Sequence, residues 1–373
     1  MTASPGVGND WPTTTLADAA GDTWVPVERG GPAPDGRRSY VGMDGADFES
    51  RRATHLSDDG AGVVTDGLVV GTHGWVLTSD GTFVSDCSWY DDPSPGGPLP
   101  PSVGAPRRLD GRCALLASEW GGENFGHFLC DVLPRLHLLE ASGHLDGVDH
   151  YLLPPLATAE ARDLVARAGI DPGRIVWLEP GGCVHAPEVV ATTYPGDHRT
   201  TPAWVPRYLR TRFAERFPGE HAGAPDPGAA SATLHDPPRR LYLTRGGNNR
   251  RPVDEPAVAA ALGELGFVTV DSGLDRGNAI FAGAEVVVGP NGAAMANTMF
   301  CPPGATVVEL VPSDHPFPFF LSTTLAADLA YVGFGCASRG RRESGDVAPS
   351  AFDFEVDLDA LVATVTEVIS GSR

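Results

Sequence analysis

The sequence predicts an α/β protein built as two halves, each around a parallel sheet, with β-hairpins ahead of the first. Short apolar runs (LYLT, FVTV, EVVVG and TVVEL) alternate with helix-length segments in the last third of the chain, the pattern of βαβ units. A similar alternation runs from Cys113 to Pro195. Between the two lies Phe217–Pro238, rich in Gly, Ala and Pro and without periodicity, which reads as a linker.

Taken from the N-terminus, residues 1–35 are rich in Gly, Pro, Thr and Asp and are expected to form a loose lead-in. Residues 36–118 alternate short β-like runs with Gly and Asp-Gly turns, as in GVVTDGLVVGTHGWVLTSDGTFVSDC, which predicts meandering hairpins. Asp91–Pro106 is a Pro/Gly loop. Cys113–Ala117 then reads as a strand feeding a buried helix around His127, which Pro134 should kink or restart. Strand, helix, strand and strand follow from His150 to Pro195. The expected domains are thus 36–216, β-rich and then α/β, and 239–373, α/β, joined by the linker 217–238. In the second, a strand ends in Arg245 and a helix opens near Asp254, with Val258, Ala261, Leu262 and Leu265 at helical spacing. A closing helix covers Leu358–Ile369.

Composition narrows the function. With 373 residues, 42% of them hydrophobic, the chain can bury two cores. A net charge of -21 argues against nucleic acid, whose binders present a basic face. There is no lysine and no glutamine, which excludes a P-loop lysine, a pyridoxal Schiff base and any lysine nucleophile. The six cysteines, Cys87, Cys113, Cys130, Cys183, Cys301 and Cys336, form no CxxC pair; that argues against zinc and a disulfide scaffold and suits a reducing cytoplasm. No run approaches the ~18–20 apolar residues of a membrane span. The N-terminus has neither the basic nor the apolar stretch of a signal peptide, so a cytoplasmic location is expected.

Three segments carry chemistry. In VVVGPNGAAMANTMFCPPGATVVELVP (Val286–Pro312), two buried strands flank a turn without bulky side chains and a helix start. Backbone N–H groups at Gly292 and Ala293 would be open to a phosphate, and Glu309, closing the next strand, could hold ribose hydroxyls. A turn kept small for packing fits the same pattern. Upstream, His127 and Asp131 share one face of a mostly apolar helix, and burying such groups demands partners. A cleft or a structural hydrogen bond would serve equally. The third segment places Arg245, Arg250 and Arg251 around a Gly/Asn loop at a strand's C-terminal end, where they suit a diphosphate; Arg250 and Arg251 taken singly also read as surface arginines.

NFGHFLCDVLPRL, LYLTRGGNNRRPVDE and AEVVVGPNGAAMANTMFCPPGATVVEL, in this order, resemble glycosyltransferase family 61, which includes plant arabinosyl- and xylosyltransferases and bacterial capsular polysaccharide biosynthesis proteins. The resemblance covers roughly Gly122–Pro312. The chain departs from the family's G-P-H-G-A at Asn291, where histidine is usual: an amide keeps a hydrogen bond but cannot carry charge or shuttle a proton. Asp254-Glu255 stands where Asn-Glu is usual.

The resemblance implies a GT-B-like fold, two Rossmann-type domains facing a central cleft, and an inverting transfer from a nucleotide diphosphate-sugar, by family habit a UDP-sugar, to a glycan or polysaccharide-precursor hydroxyl. The donor would be held by Arg245, Arg250, Arg251, Asn291, Gly292, Ala293, Asn297 and Glu309. His127 or Asp131 would deprotonate the acceptor, with Asn124 and His198 on the acceptor side. No cofactor or metal is expected: the sole DxD triplet, Asp357-Leu358-Asp359, opens the closing helix, where acids act as caps. A catalytically inactive sugar-nucleotide or glycan-binding member is the alternative that Asn291 keeps open. A nucleotide-sugar epimerase is the third reading, disfavoured by the family motifs.

Overall fold

The computed structural model describes residues 12–89, 105–197, 200–213, 238–271, 279–339 and 352–371. It is a mixed α/β protein with several sheets. The chain divides into two compact units, Met1–Ala33 with Thr54–Pro202, and Pro34–Ala53 with Ala203–Arg373.

The first unit is built on one mixed sheet. Its strand Arg112–Leu115 lies between parallel neighbours Cys183–Thr192 and His150–Leu153, with Ile175–Trp177 beyond the latter. On its other side Cys183–Thr192 pairs antiparallel with the long strand Asp59–Val70, which leads through Trp75–Leu77 to Phe83–Val84. The expected hairpins exist, but they continue the parallel sheet instead of preceding it. From Arg112–Leu115 the chain moves outward to Ile175–Trp177 and returns on the opposite side at Cys183–Thr192. The carboxyl ends of Arg112–Leu115 and Cys183–Thr192 therefore flank a topological switch point, where open α/β sheets bind ligands.

Residues 12–35, expected to be loose, are folded. Thr15 caps the helix Leu16–Ala20, and Leu16 and Ala20 are buried. Gly62 lets this helix close on the sheet, because a Cβ there would come 2.5 Å from the Ala20 Cβ. Residues 1–11 lie outside the described residues.

The second unit holds a parallel sheet in the order Val268–Asp271, Arg240–Thr244, Val286–Pro290, Thr306–Pro312, Ala330–Ser338. The two middle strands, Val286–Pro290 and Thr306–Pro312, are buried at every position, as strands covered on both faces are. The chain runs from Arg240–Thr244 out to Val268–Asp271 and back to Val286–Pro290 on the other side, so a second switch point lies between Arg240–Thr244 and Val286–Pro290. The closing helix Leu358–Ile369 is capped by Asp357 and buries Leu361, Val365 and Val368.

The units divide elsewhere than at the expected domain limits. Strand Arg38–Val41 adds parallel to the edge of Ala330–Ser338, so residues 34–53 belong with the C-terminal sheet. Helix Trp204–Phe213 joins the same unit, its Arg210 donating to the carbonyls of Met299 and Ala327, each at 2.7 Å. A four-residue edge strand carries no pattern that names its partner, which is why the sequence assigned it to the hairpins. Of the expected linker, 217–237 lie outside the described residues.

No helix among the described residues is long and apolar enough to cross a membrane. All six cysteines are free and buried.

Candidate functional site

At the first switch point, Asn124 opens the His127 helix as its N-cap, accepting from the backbone N–H of Gly126 at 2.9 Å and of His127 at 3.4 Å. One helical turn later the backbone widens over Phe128–Val132, where Leu133 N–H donates to the Phe128 carbonyl at 2.9 Å, an i→i+5 bond. Such π-turns gather at functional sites. The helix resumes at Arg135, directly after Pro134, as the proline predicts. His127 Nδ1 lies 2.6 Å from Asp131 Oδ2. An ionised carboxylate only accepts, so Nδ1 is the donor of this pair. Asp131 is 2% exposed against 20% for His127, so of the two the imidazole is the more accessible.

Buried and aromatic groups hold this dyad. Arg135, fully buried, donates to the carbonyls of Asp131, Thr192 and Cys87, tying the wide turn to two neighbouring segments. The indoles of Trp89 and Trp120 stand 5.3 and 5.2 Å from the His127 ring. Burial, with the Asp131 charge beside it, holds the Tyr194 phenol well above its ordinary range. Glu119, itself buried, accepts from Trp75 Nε1 at 2.7 Å, from Ser88 Oγ and from the Trp89 backbone N–H at 3.0 Å. It thereby fixes the segment that carries Trp89.

At the second switch point, Arg245 follows its strand directly and donates Nε to the Asn249 carbonyl at 2.9 Å. Its guanidinium lies against Gly292: a Cβ there would meet Arg245 Nη1 at 1.9 Å. Gly292 has φ 178°, extended backbone, so the missing side chain serves close approach and not conformational freedom. Arg250 adopts the left-handed conformation, φ 59°, costly for a side chain with a Cβ and a mark of functional sites. Its Nε is buried without a hydrogen-bond partner among the described residues. Burial first, and then the Arg245 charge, lower the Arg250 guanidinium to about 10. Two guanidiniums in one another's field, one with an unused buried donor, form a site that an anion would complete.

His315, just past the strand Thr306–Pro312, belongs to the same electrostatic neighbourhood. Burial, with the Arg250 and Arg245 charges, pushes its imidazole down to about 4, so it is neutral at pH 7.

Several expected donor contacts change. Glu309 is 0% exposed and accepts from Asn291 Nδ2 and from the Tyr331 hydroxyl, each at 2.6 Å. It cannot also hold a ribose: both oxygens are taken, inside the sheet. Asn291, 3% exposed, donates its side-chain amide to that carboxylate. The segment from Ala293 to Phe300 is a 3₁₀-helix without a side-chain cap, not the α-helix start expected. Asn297 is buried and donates to the Ala294 carbonyl at 3.2 Å. Arg251 donates to the Gly246 carbonyl at 3.1 Å and faces Asp353 at 3.7 Å. Asn124 spends its side-chain oxygen on the helix cap, and His198 lies outside the described residues. Asp357 of the DxD triplet caps the closing helix through Ala360 N–H at 3.0 Å. Among the described residues no group of three or more His, Cys, Asp or Glu is placed to hold a metal.

The sequence reading did not single out Trp89, Trp120, Glu119, Arg135 and Tyr194 in the first unit, or His315 and Tyr331 in the second. Arg135 was legible: it sits eight positions after His127 in the quoted motif. Nothing local marks Tyr194 or Tyr331.

A family model described as Glycosyltransferase 61 matches residues 125–308, a span holding His127, Asp131, Arg245, Arg250 and Asn291. No curated protein matches the chain.

Proposed function

We propose, from the match of residues 125–308 to the Glycosyltransferase 61 family model, an inverting, metal-independent transfer from a nucleoside diphosphate-sugar to a glycan hydroxyl. By the family's habit the donor is a UDP-sugar and the acceptor a polysaccharide precursor, as in capsular polysaccharide biosynthesis. The fold reading that accompanies it is GT-B. The observation that carries the proposal is the Arg245–Arg250 pair at a sheet switch point, with an Arg250 Nε that is buried without a partner among the described residues.

In this reading the two arginines take the diphosphate. Their fixed positive charge stabilises the negative charge that grows on the leaving group, the task a metal performs elsewhere. His127 Nε2 removes the acceptor proton, with Asp131 holding the imidazole in that tautomer. The acceptor oxygen forms its bond to the anomeric carbon as the bond to the diphosphate oxygen breaks. The proton ends on His127 and the electron pair on the diphosphate, with inversion at carbon.

A second reading, a sugar-nucleotide-binding protein without turnover, draws on Asn291: the position that is histidine in the family is an amide bound to Glu309. It predicts donor binding with no product, and binding that His127→Ala leaves unchanged.

Calorimetry and thermal shift of the full chain with UDP, GDP, CMP and UDP-sugars, with manganese and with EDTA, test the proposal. The expected result is EDTA-insensitive binding of UDP and one UDP-sugar, weakened about ten- to hundredfold in Arg250→Ala, the range for hydrogen bonds to charged groups. Failure of every nucleotide to bind would sink it.

A further inference from the structure

The carboxylate of Glu309 lies in the middle of a parallel sheet, yet it contacts no surface and pairs with no basic side chain at hydrogen-bond distance. A hydrocarbon there would be at least as stable, since buried charge is costly even when well bonded. The surrounding backbone is shaped to receive it. In register, Glu309 stands opposite Gly289 on one side and Gly333 on the other, so both cross-strand neighbours on its face are glycines. Each glycine is also packed on that face: a Cβ at Gly289 would meet Met295 Sδ at 2.9 Å, and one at Gly333 would meet the Tyr40 ring at 2.8 Å.

Residues two apart on a strand share a face. Asn291 follows Gly289 by two and Tyr331 precedes Gly333 by two, so both reach the carboxylate diagonally from the neighbouring strands. Asn291 N–H also donates to the Leu310 carbonyl at 3.1 Å, which extends the ladder one residue past Pro290. Asn291 is therefore held by backbone and side chain together. The next residue is Gly292, the surface against which the Arg245 guanidinium lies.

We propose that Glu309 is a positioning residue for the anion site: by fixing Asn291 it sets Gly292 where Arg245 must lie to meet a diphosphate. The inference rests on the donor-site reading above. Tyr331 supplies the second donor that keeps the carboxylate in one orientation. Glu309 itself touches no substrate.

The test uses the full chain and two probes, UDP and UMP. Glutamine at 309 has one acceptor oxygen and one amide donor where the carboxylate had two acceptors, so Glu309→Gln cannot accept from Asn291 and Tyr331 through separate oxygens. Affinities are measured by calorimetry for wild type, Glu309→Gln, Asn291→Ala, the double variant and Tyr331→Phe, with a Tm for each. Each single change at 309 or 291 is expected to weaken UDP about tenfold, and the double variant no more than either alone, because the two residues act in series. UMP, which lacks the second phosphate, should weaken less than twofold. General loosening of the fold would weaken both nucleotides together, and that outcome overturns the proposal. So does an additive, about hundredfold, loss of UDP in the double variant. Should Glu309→Gln not fold, Tyr331→Phe carries the test: a UDP-to-UMP preference equal to wild type overturns the proposal. A wild type that binds neither nucleotide removes the donor reading and this inference with it, whereas the other failures remove this inference alone.

Discussion

The two switch points use one topological device for opposite chemistry. Each is the place where the chain leaves a central strand on one side and later returns on the other. At the first, the groups are a histidine and a carboxylate among indoles, held by the buried Arg135 and Glu119. At the second, they are two arginines that burial pushes below their ordinary range, Arg250 falling to about 10 with the Arg245 charge beside it. A proton acceptor needs a lone pair and a tuned neighbour; an anion site needs fixed positive charge. The topology supplies position, and the residues after each strand decide the chemistry.

The largest expected effect comes from breaking the first site alone. His127→Ala should lower the transfer rate about 10²–10⁴-fold, the usual contribution of a general base, while UDP affinity stays at the wild-type value. Steady-state rates beside calorimetry check this. An equal loss of UDP affinity would end the division of labour between the two sites, and an unchanged rate would leave Asp131 or another group as the base.

That division was partly legible in the sequence. His127 and Asp131 could be paired because an i,i+4 spacing on a helix fixes their neighbourhood without any tertiary knowledge. The strands around Val287 and Val308 were legible because strands covered on both faces read as continuous apolar runs. Glu309 was misread for the opposite reason. An acid closing a strand looks the same whether it faces a ribose or a buried amide, and what separates the two is its register with Gly289 and Gly333. Trp89, Tyr194 and the edge strand Arg38–Val41 were missed in the same way, since each is defined by a partner far off in the chain.

A change at Gly292 sharpens the comparison from the other side. In Gly292→Ala the new methyl would stand 1.9 Å from Arg245 Nη1, so the guanidinium must move. The backbone at φ 178° accepts alanine without strain. UDP affinity should therefore fall about tenfold, as for the loss of one hydrogen bond to a charged group, with Tm close to wild type. A raised KM at unchanged kcat would identify the loss as ground-state binding; a fall in kcat alone would place Arg245 on the leaving group in the transition state only.

The smallest effect is a pH dependence of stability set by buried groups in both units. Burial raises the Glu309 carboxyl from 4.5 to about 7, against the opposing pull of Tyr331, Asn291 and Arg250. The folded chain then keeps a proton that the unfolded chain has lost, so this group's contribution is fully present below pH 4.5 and is lost as pH rises through about 7. Asp86, raised by burial to about 6 in the first unit, acts in the same direction. His315, pushed from 6.5 down to about 4, acts oppositely: the unfolded chain binds its proton first, so stability falls as pH drops from 6.5 towards 4. These terms overlap and partly cancel in wild type, so the difference from Glu309→Gln isolates one of them. Thermal melts of both proteins between pH 4.5 and 8 should show the wild type losing ground to Glu309→Gln as pH rises towards 7 and holding a constant offset above it. Parallel curves across the whole range would mean that Glu309 is ionised throughout, and that the Arg250 charge outweighs burial at the centre of this sheet.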